Sequence, residues 1–220
     1  MITKKISTFL ACILITSAFA QNTRFTLQKT VNKIYTDIRD ECGKDLDLLN
    51  VKYKAIEKKS PDGKLSQTDI NEYSKQFDAL KISYNQCVTK NQSIKIEKLK
   101  ALLAKVEEEN KKEYIPPKNT LLSTPKPFSQ DIICRKMVDM LAGHDLFEGL
   151  DANLELKLSF VLDRDGLMKE VKITGTDNEE IKLFTALNFY SITEVFQPKL
   201  SDGKPVRLPY IMPLTFMATE

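Results

Sequence analysis

The residues able to do chemistry in this 220-residue chain are few: one histidine, four cysteines and some paired carboxylates. His144 stands alone just past a helical stretch. A catalytic base needs a nucleophile and an orienting group beside it, and nothing near His144 supplies them, so it reads as a cap or surface residue. No Gly-rich phosphate loop, Cys-x-x-Cys or His-x-x-x-His is present. Asp163 and Asp165 flank a turn, but two carboxylates fall short of a cation site. The stretch "KKSPDGKLSQTD", Lys58 to Asp69, comes closer. It fits the second half of a calcium-binding loop, with Gly63 at the sixth position and Asp69 at the twelfth. Its first ligand position is Lys58, whose ammonium opposes a cation. The simpler expectation is a turn at Asp62-Gly63, with Ser66 capping the next helix and Asp69 completing a capping box. The chain is therefore expected to be non-enzymatic, with no catalytic residue, metal or cofactor.

The cysteines belong to a pattern of their own. Apolar residues at Val31, Ile34, Ile38, Cys42, Leu46, Leu49, Tyr53 and Ile56 step by three and four, which is one face of a helix. A second series runs Ile70, Tyr73, Phe77, Leu80, Tyr84 and Cys87. It resumes at Leu99, Leu102 and Val106 after a polar patch at Thr89 to Ser93. Neither helix can bury its stripe alone, and the short connection "KKSPDGKLS" favours antiparallel packing. Cys42 and Cys87 lie about equally far from the turn near Gly63, so they face each other. In an exported chain a disulfide between them is expected. Cys134 is left over, as a small core residue of a later helix or the donor of an intermolecular bridge.

Export is expected from the first twenty residues. Lys4 and Lys5 form a basic start, Ile6 to Thr16 an apolar run, and Ala18-Phe19-Ala20 an A-x-A site, with cleavage between Ala20 and Gln21. The apolar stretch is shorter than the ~20 residues of a spanning helix, so no membrane span is expected after cleavage. Cys12 has too little apolar sequence before it to be an acylation site. Charge divides unevenly: residues 21–127 carry a net +6 and residues 128–220 a net −5. With nucleic acid excluded by export, the basic half has three readings: a partner for an anionic surface, a partner for the acidic half of its own chain, or lysine-rich solvated helix faces.

Four prolines, Pro116, Pro117, Pro125 and Pro127, make residues 114–127 an extended connector that ends the helix. Beyond it Ser129 can cap a helix stopped at Gly143. "LELKLSFVL", Leu154 to Leu162, alternates as a half-buried strand. "DRDG" turns it into a second strand, "LMKEVKITG". A helix follows with Ile181, Phe184, Leu187 and Phe189 or Tyr190 on one face, and "FQPKLSDGKPVRLPYIMPLTF" supplies the last strand. The fold class is thus α+β. Residues 21–113 form a helical hairpin, 114–127 a linker, and 128–220 a helix on a three-stranded antiparallel sheet.

Residues 150–220 resemble the C-terminal domain of the TonB family. The resemblance is carried by Asp165-Gly166 between two strands, the helix Ile181 to Ile192, Phe196, Pro198, Asp202 to Val206, and Pro213 to Phe216. The usual "YP" box before the first strand is missing, with "LFEGLDA" at Leu146 to Ala152. The resemblance implies a domain that binds a short peptide at the periplasmic face of outer-membrane transporters. Without an anchor the chain is not expected to transmit force.

The last strand bears on that implication. Val206, Leu208, Tyr210, Met212, Leu214 and Phe216 share one parity and Pro209, Ile211 and Pro213 the other. Residues of one parity aim their N–H groups at the same neighbour, so the prolines strip donors from one side only, as in an edge strand. The resemblance implies that this edge accepts a peptide by strand addition, with Arg207, Ile211 and Thr215 as the remaining donors. The expectation is a periplasmic or secreted binding or scaffold protein with a transporter segment as partner. Two alternatives stand beside it: a structural or homodimerising module without a transporter partner, and an anchored energy transducer if residues 1–20 stay attached.

Overall fold

The computed structural model describes residues 3–111, 126–147 and 152–217, with side chains from residue 26 onward. The connector expected at 114–127 lies outside the described residues except for Lys126 and Pro127, as do the side chains of Ala20 and Gln21 at the expected cleavage site. Among the described residues no helix is long and apolar enough to cross a membrane.

The architecture is α+β: two long packed helices, then a three-stranded antiparallel sheet carrying a helix. Helices α1 (Thr3–Lys59) and α2 (Gln67–Lys111) are followed by α3 (Gln130–Leu141) and a 3-10 turn at Asp145–Phe147. Then come β1 (Leu154–Leu162), β2 (Met168–Thr174), α4 (Glu179–Tyr190), the short strands β3 (Leu200–Ser201) and β4 (Lys204–Pro205), and β5 (Leu208–Phe216). The chain divides into two compact units, Asn32–Lys98 and Met1–Val31 with Leu99–Glu220.

In the Asn32–Lys98 unit the helices close on one another through the expected stripes. Ile38, Leu49 and Tyr53 are buried, and the Tyr53 and Tyr73 rings meet edge-on at 5.1 Å. Cys42 and Cys87 are bonded, their Cα atoms 5.6 Å apart. Ile70 departs from the pattern, at 43% exposed. It sits in the first turn of α2, at the open end of the stripe. The turn between the helices has the expected geometry. Gly63 takes φ +66°, Ser66 Oγ accepts from Asp69 N–H at 3.1 Å, and Asp69 Oδ2 accepts in return from Ser66 N–H at 3.3 Å. This is a reciprocal capping box.

The α2 stripe does not break at the polar patch. It continues through Asn91 and Lys95 to Leu99 in steps of four, with polar side chains at core positions. Asn91 Nδ2 donates to the Cys87 carbonyl at 3.1 Å and lies 3.5 Å from Cys87 Sγ. Lys95 is buried, its ammonium 5.1 Å from the Tyr35 ring centre.

In the sheet the order is β2-β1-β5, with β1 in the centre and every neighbour antiparallel. Leu156, Leu158, Phe160 and Leu162 of β1 and Met212 and Leu214 of β5 are buried, while Glu155, Lys157, Pro209, Ile211, Pro213 and Thr215 are exposed. One face is covered and one is open, which is why both strands alternate with period two. Helix α4 was expected to bury a single face. It is buried at every position from Glu180 to Tyr190 except Lys182, because it packs against both β2 and α3. Asn178 caps it, accepting from Ile181 N–H at 3.2 Å. The stretch expected to be one strand from Phe196 onward instead makes a small hairpin, β3–β4, before β5 begins. Its two turn residues, Asp202 and Gly203, both have positive φ, as a two-residue hairpin loop of this kind requires.

Gly166 ties the β1–β2 turn to the chain after α4. Its carbonyl accepts from Phe196 N–H at 2.9 Å, its φ is +78°, and a Cβ built there would overlap the Phe196 carbonyl. Gly63, also at positive φ, faces open space.

Two outcomes follow for stability. Closing a loop of 45 residues contributes about 4 kcal/mol in the chain-entropy model, so Cys42→Ala/Cys87→Ala should lower the unfolding free energy of the hairpin by roughly that much. Non-reducing peptide mapping of exported protein that found both thiols unbonded would remove the staple. Gly166→Ala should cost about 3 kcal/mol or more through strain plus overlap, and Gly63→Ala about 1 kcal/mol. Equal losses in urea unfolding would mean that the contact with Phe196 is not tight.

Candidate peptide-docking edge

Strand β5 pairs with β1 along its whole length, from Leu154 opposite Phe216 to Leu162 opposite Leu208. A proline cannot donate to a ladder, so Pro209 and Pro213 sit where N–H groups would point away from β1. The same parity places the N–H and carbonyl groups of Ile211 and Thr215 on that outer side. Independent geometry agrees, since the Ile211 carbonyl accepts from Gln130 Nε2, at the start of α3, at 3.3 Å. Among the described residues no strand pairs with this outer side. The Ile211 side chain is 68% exposed, on the open face, with Pro209 and Pro213 as its exposed neighbours along the strand.

The expected donors are not equivalent. Ile211 and Thr215 lie within β5, opposite Ser159 and Glu155. Arg207 lies just before the strand, its guanidinium bonded to Glu170 and 3.3 Å from Asp163 Oδ1. Val206, expected to open the core-facing set, donates its N–H to the Lys199 carbonyl at 2.9 Å and belongs with the small hairpin. From Tyr210 inward the strand rests on aromatic rings: Phe128 is 4.3 Å from Tyr210 and 5.3 Å from Phe196.

A charged cluster holds the start of β5 to the β1–β2 turn. Lys169 is only 8% exposed, and its ammonium lies 2.8 Å from Asp163 Oδ2 and 2.6 Å from Asp165 Oδ2. The two carboxylates that a metal would need are thus already bridged by an ammonium. Among the described residues no group of three or more His, Cys, Asp or Glu is placed to hold a metal ion. Burial alone would raise the Asp163 carboxyl, but hydrogen bonds from Lys169 and the Arg164 N–H, with the charges of Lys169 and Arg207, hold it below its ordinary 3.8. Burial likewise works against the Lys169 ammonium, yet Asp163 and Asp165 hold its pKa above the ordinary 10.5. Sequence inspection missed Lys169. Its position four residues past Asp165, across the turn, was the available signal.

The other candidate residues lie apart from this edge. His144 Nδ1 accepts from Leu146 N–H at 3.3 Å, and its ring lies tilted against Phe184, centroids 4.1 Å apart. Cys134 is a half-buried thiol on α3. At the would-be calcium loop, Asp62 is held by Ser60 Oγ at 2.7 Å and Lys64 N–H at 3.2 Å, which lowers its pKa. One ion pair does join the basic and acidic halves of the sequence: Lys100 Nζ is 3.1 Å from Glu179 Oε1.

No family model, curated protein or solved structure matches this chain.

The charged cluster sets a pH window. The Asp163 contribution is complete above about pH 3.8 and is lost as pH falls through its lower folded value. The Lys169 contribution is complete below about pH 10.5 and is lost as pH rises through its higher folded value. Lys169→Met should cost about 3 kcal/mol at pH 7, since it takes the bridging ammonium away from two half-buried carboxylates, leaving Arg207 as the cation beside Asp163. The penalty should shrink below pH 4, and adding Asp163→Asn/Asp165→Asn should recover much of it. A penalty equal at pH 3 and pH 7 in urea unfolding would assign the loss to packing instead of charge.

Proposed function

We propose that the protein is an exported, non-enzymatic binding protein whose C-terminal sheet takes an extended peptide along the outer side of β5, with the stapled hairpin as its scaffold. The observation that carries this reading is the position of β5: the last strand of the sheet, paired on one side, with backbone groups at Ile211 and Thr215 directed away from β1. Strand addition at such an edge draws affinity from main-chain hydrogen bonds. The partner is proposed from the resemblance of residues 150–220 to TonB C-terminal domains, and is a periplasm-facing segment of an outer-membrane transporter. Residues 1–20 are read as a cleaved signal, and on that reading the protein is an accessory and not a force transducer.

Affinity at this edge is expected to be weak, because Pro209 and Pro213 withhold two donors and each net hydrogen bond is worth ~1 kcal/mol. Peptides from transporter plug segments, titrated into isotope-labelled protein, should shift the Ile211 and Thr215 amides first. Pro209→Val/Pro213→Val should strengthen that binding about tenfold or more, or promote self-association through the restored edge. If the double variant changes neither property, β5 is not the working surface. The sheet is then a structural module without a transporter partner.

A further inference from the structure

We infer that Gln130 acts as a gate on the β5 edge: its side-chain amide occupies the central acceptor that an added strand would use. The inference rests on the reading of β5 as a docking edge and adds how that edge is kept closed. The outer side of β5 is short of donors but not of acceptors. Pro209 and Pro213 lack N–H groups, yet each residue of that parity keeps a carbonyl. An incoming strand is therefore held mainly by its own N–H groups, donated to β5 carbonyls. Ile211 lies midway between the two prolines, and its position can exchange both bonds with a partner. Its carbonyl is the one that Gln130 Nε2 already engages, at 3.3 Å.

The contact is built from separate parts of the chain, 81 residues apart in sequence. Gln130 is the first residue of α3, which packs against β5 and α4. It is set there by Phe128, two residues earlier, whose ring lies against Tyr210 and Phe160, and by Lys126, whose carbonyl accepts from Gln197 N–H at 2.9 Å. The backbone leading into α3 is therefore anchored at Lys126 and Phe128, while the Gln130 side chain itself is solvent-exposed and held by a single bond. A peptide can displace it at the cost of one neutral hydrogen bond, which the peptide's own N–H then replaces. The gate raises the threshold for pairing without abolishing it.

The test uses the full chain and needs no natural partner. In the Pro209→Val/Pro213→Val background, Gln130→Ala should strengthen self-association in sedimentation equilibrium about 30-fold, the worth of one net hydrogen bond in each of the two copies. Gln130→Glu should do the same, because it keeps the size and removes the donor. Equal association constants for all three proteins would overturn the gate. If the double variant stays monomeric, the decision passes to NMR. A scalar coupling across the Gln130 side-chain bond to the Ile211 carbonyl supports the gate, and carboxamide protons exchanging as fast as those of an unbonded glutamine refute it. A panel of plug peptides that bound neither parent nor variants would remove the proposed partner, leaving the gate to stand or fall on these two measurements.

Discussion

A proline has no N–H to give, and the C-terminal sheet is arranged around that fact. With Pro209 and Pro213 at the same parity, β5 has one side that can bond a neighbour throughout and one that cannot. The register with β1 uses the competent side for all nine residues. This fixes which residues face the helices, because a shift of one would put Pro209 and Pro213 into the core and Met212 and Leu214 into water. Which side of β5 meets β1 and which face is covered both follow from where two imino acids fall.

The start of β5 is held by charge and the middle by rings. Lys169 reaches across the turn to Asp163 and Asp165, and Arg207 carries the network to the residue before the strand. Gly166 draws the same turn against Phe196, whose ring meets Phe128. The Asp-Gly turn, the aromatic before Pro198 and the opening of β5 are thus neighbours in space, which gives a physical reason for these motifs to occur together in one chain.

Alternation in β1 and β5 was legible because the sheet is covered on one face only, so period two survives in the sequence. The hairpin and its staple were legible because equidistance from a turn is a geometric statement. Asn91 and Lys95 hid the continuity of α2, since a polar residue at a core position looks like a gap. The burial of α4 on all sides was hidden for the opposite reason: helix α3, which covers its outer face, is far away in sequence. The β3–β4 hairpin had its signal in Asp202-Gly203 but was absorbed into a longer strand. The contact between Gln130 and Ile211 joins segments that no local pattern connects.

The pairing of β1 with β5 has a consequence for the order of events as the chain is made. The central strand waits for residues 208–216 to arrive, with Leu154 and Phe216 as partners 62 positions apart, and closing so distant a contact is slow. The hairpin, by contrast, has its two halves joined by one turn and can form early. During that interval β1 shows the solvent a nine-residue side free of proline, lined by leucine and phenylalanine, and such a side invites pairing with other chains. Strand β5 ends this exposure. It bonds to β1 on the side that can bond and presents the side that resists, so the last strand to arrive also seals the sheet. A chain broken off before Leu208 keeps the hazard and loses the seal.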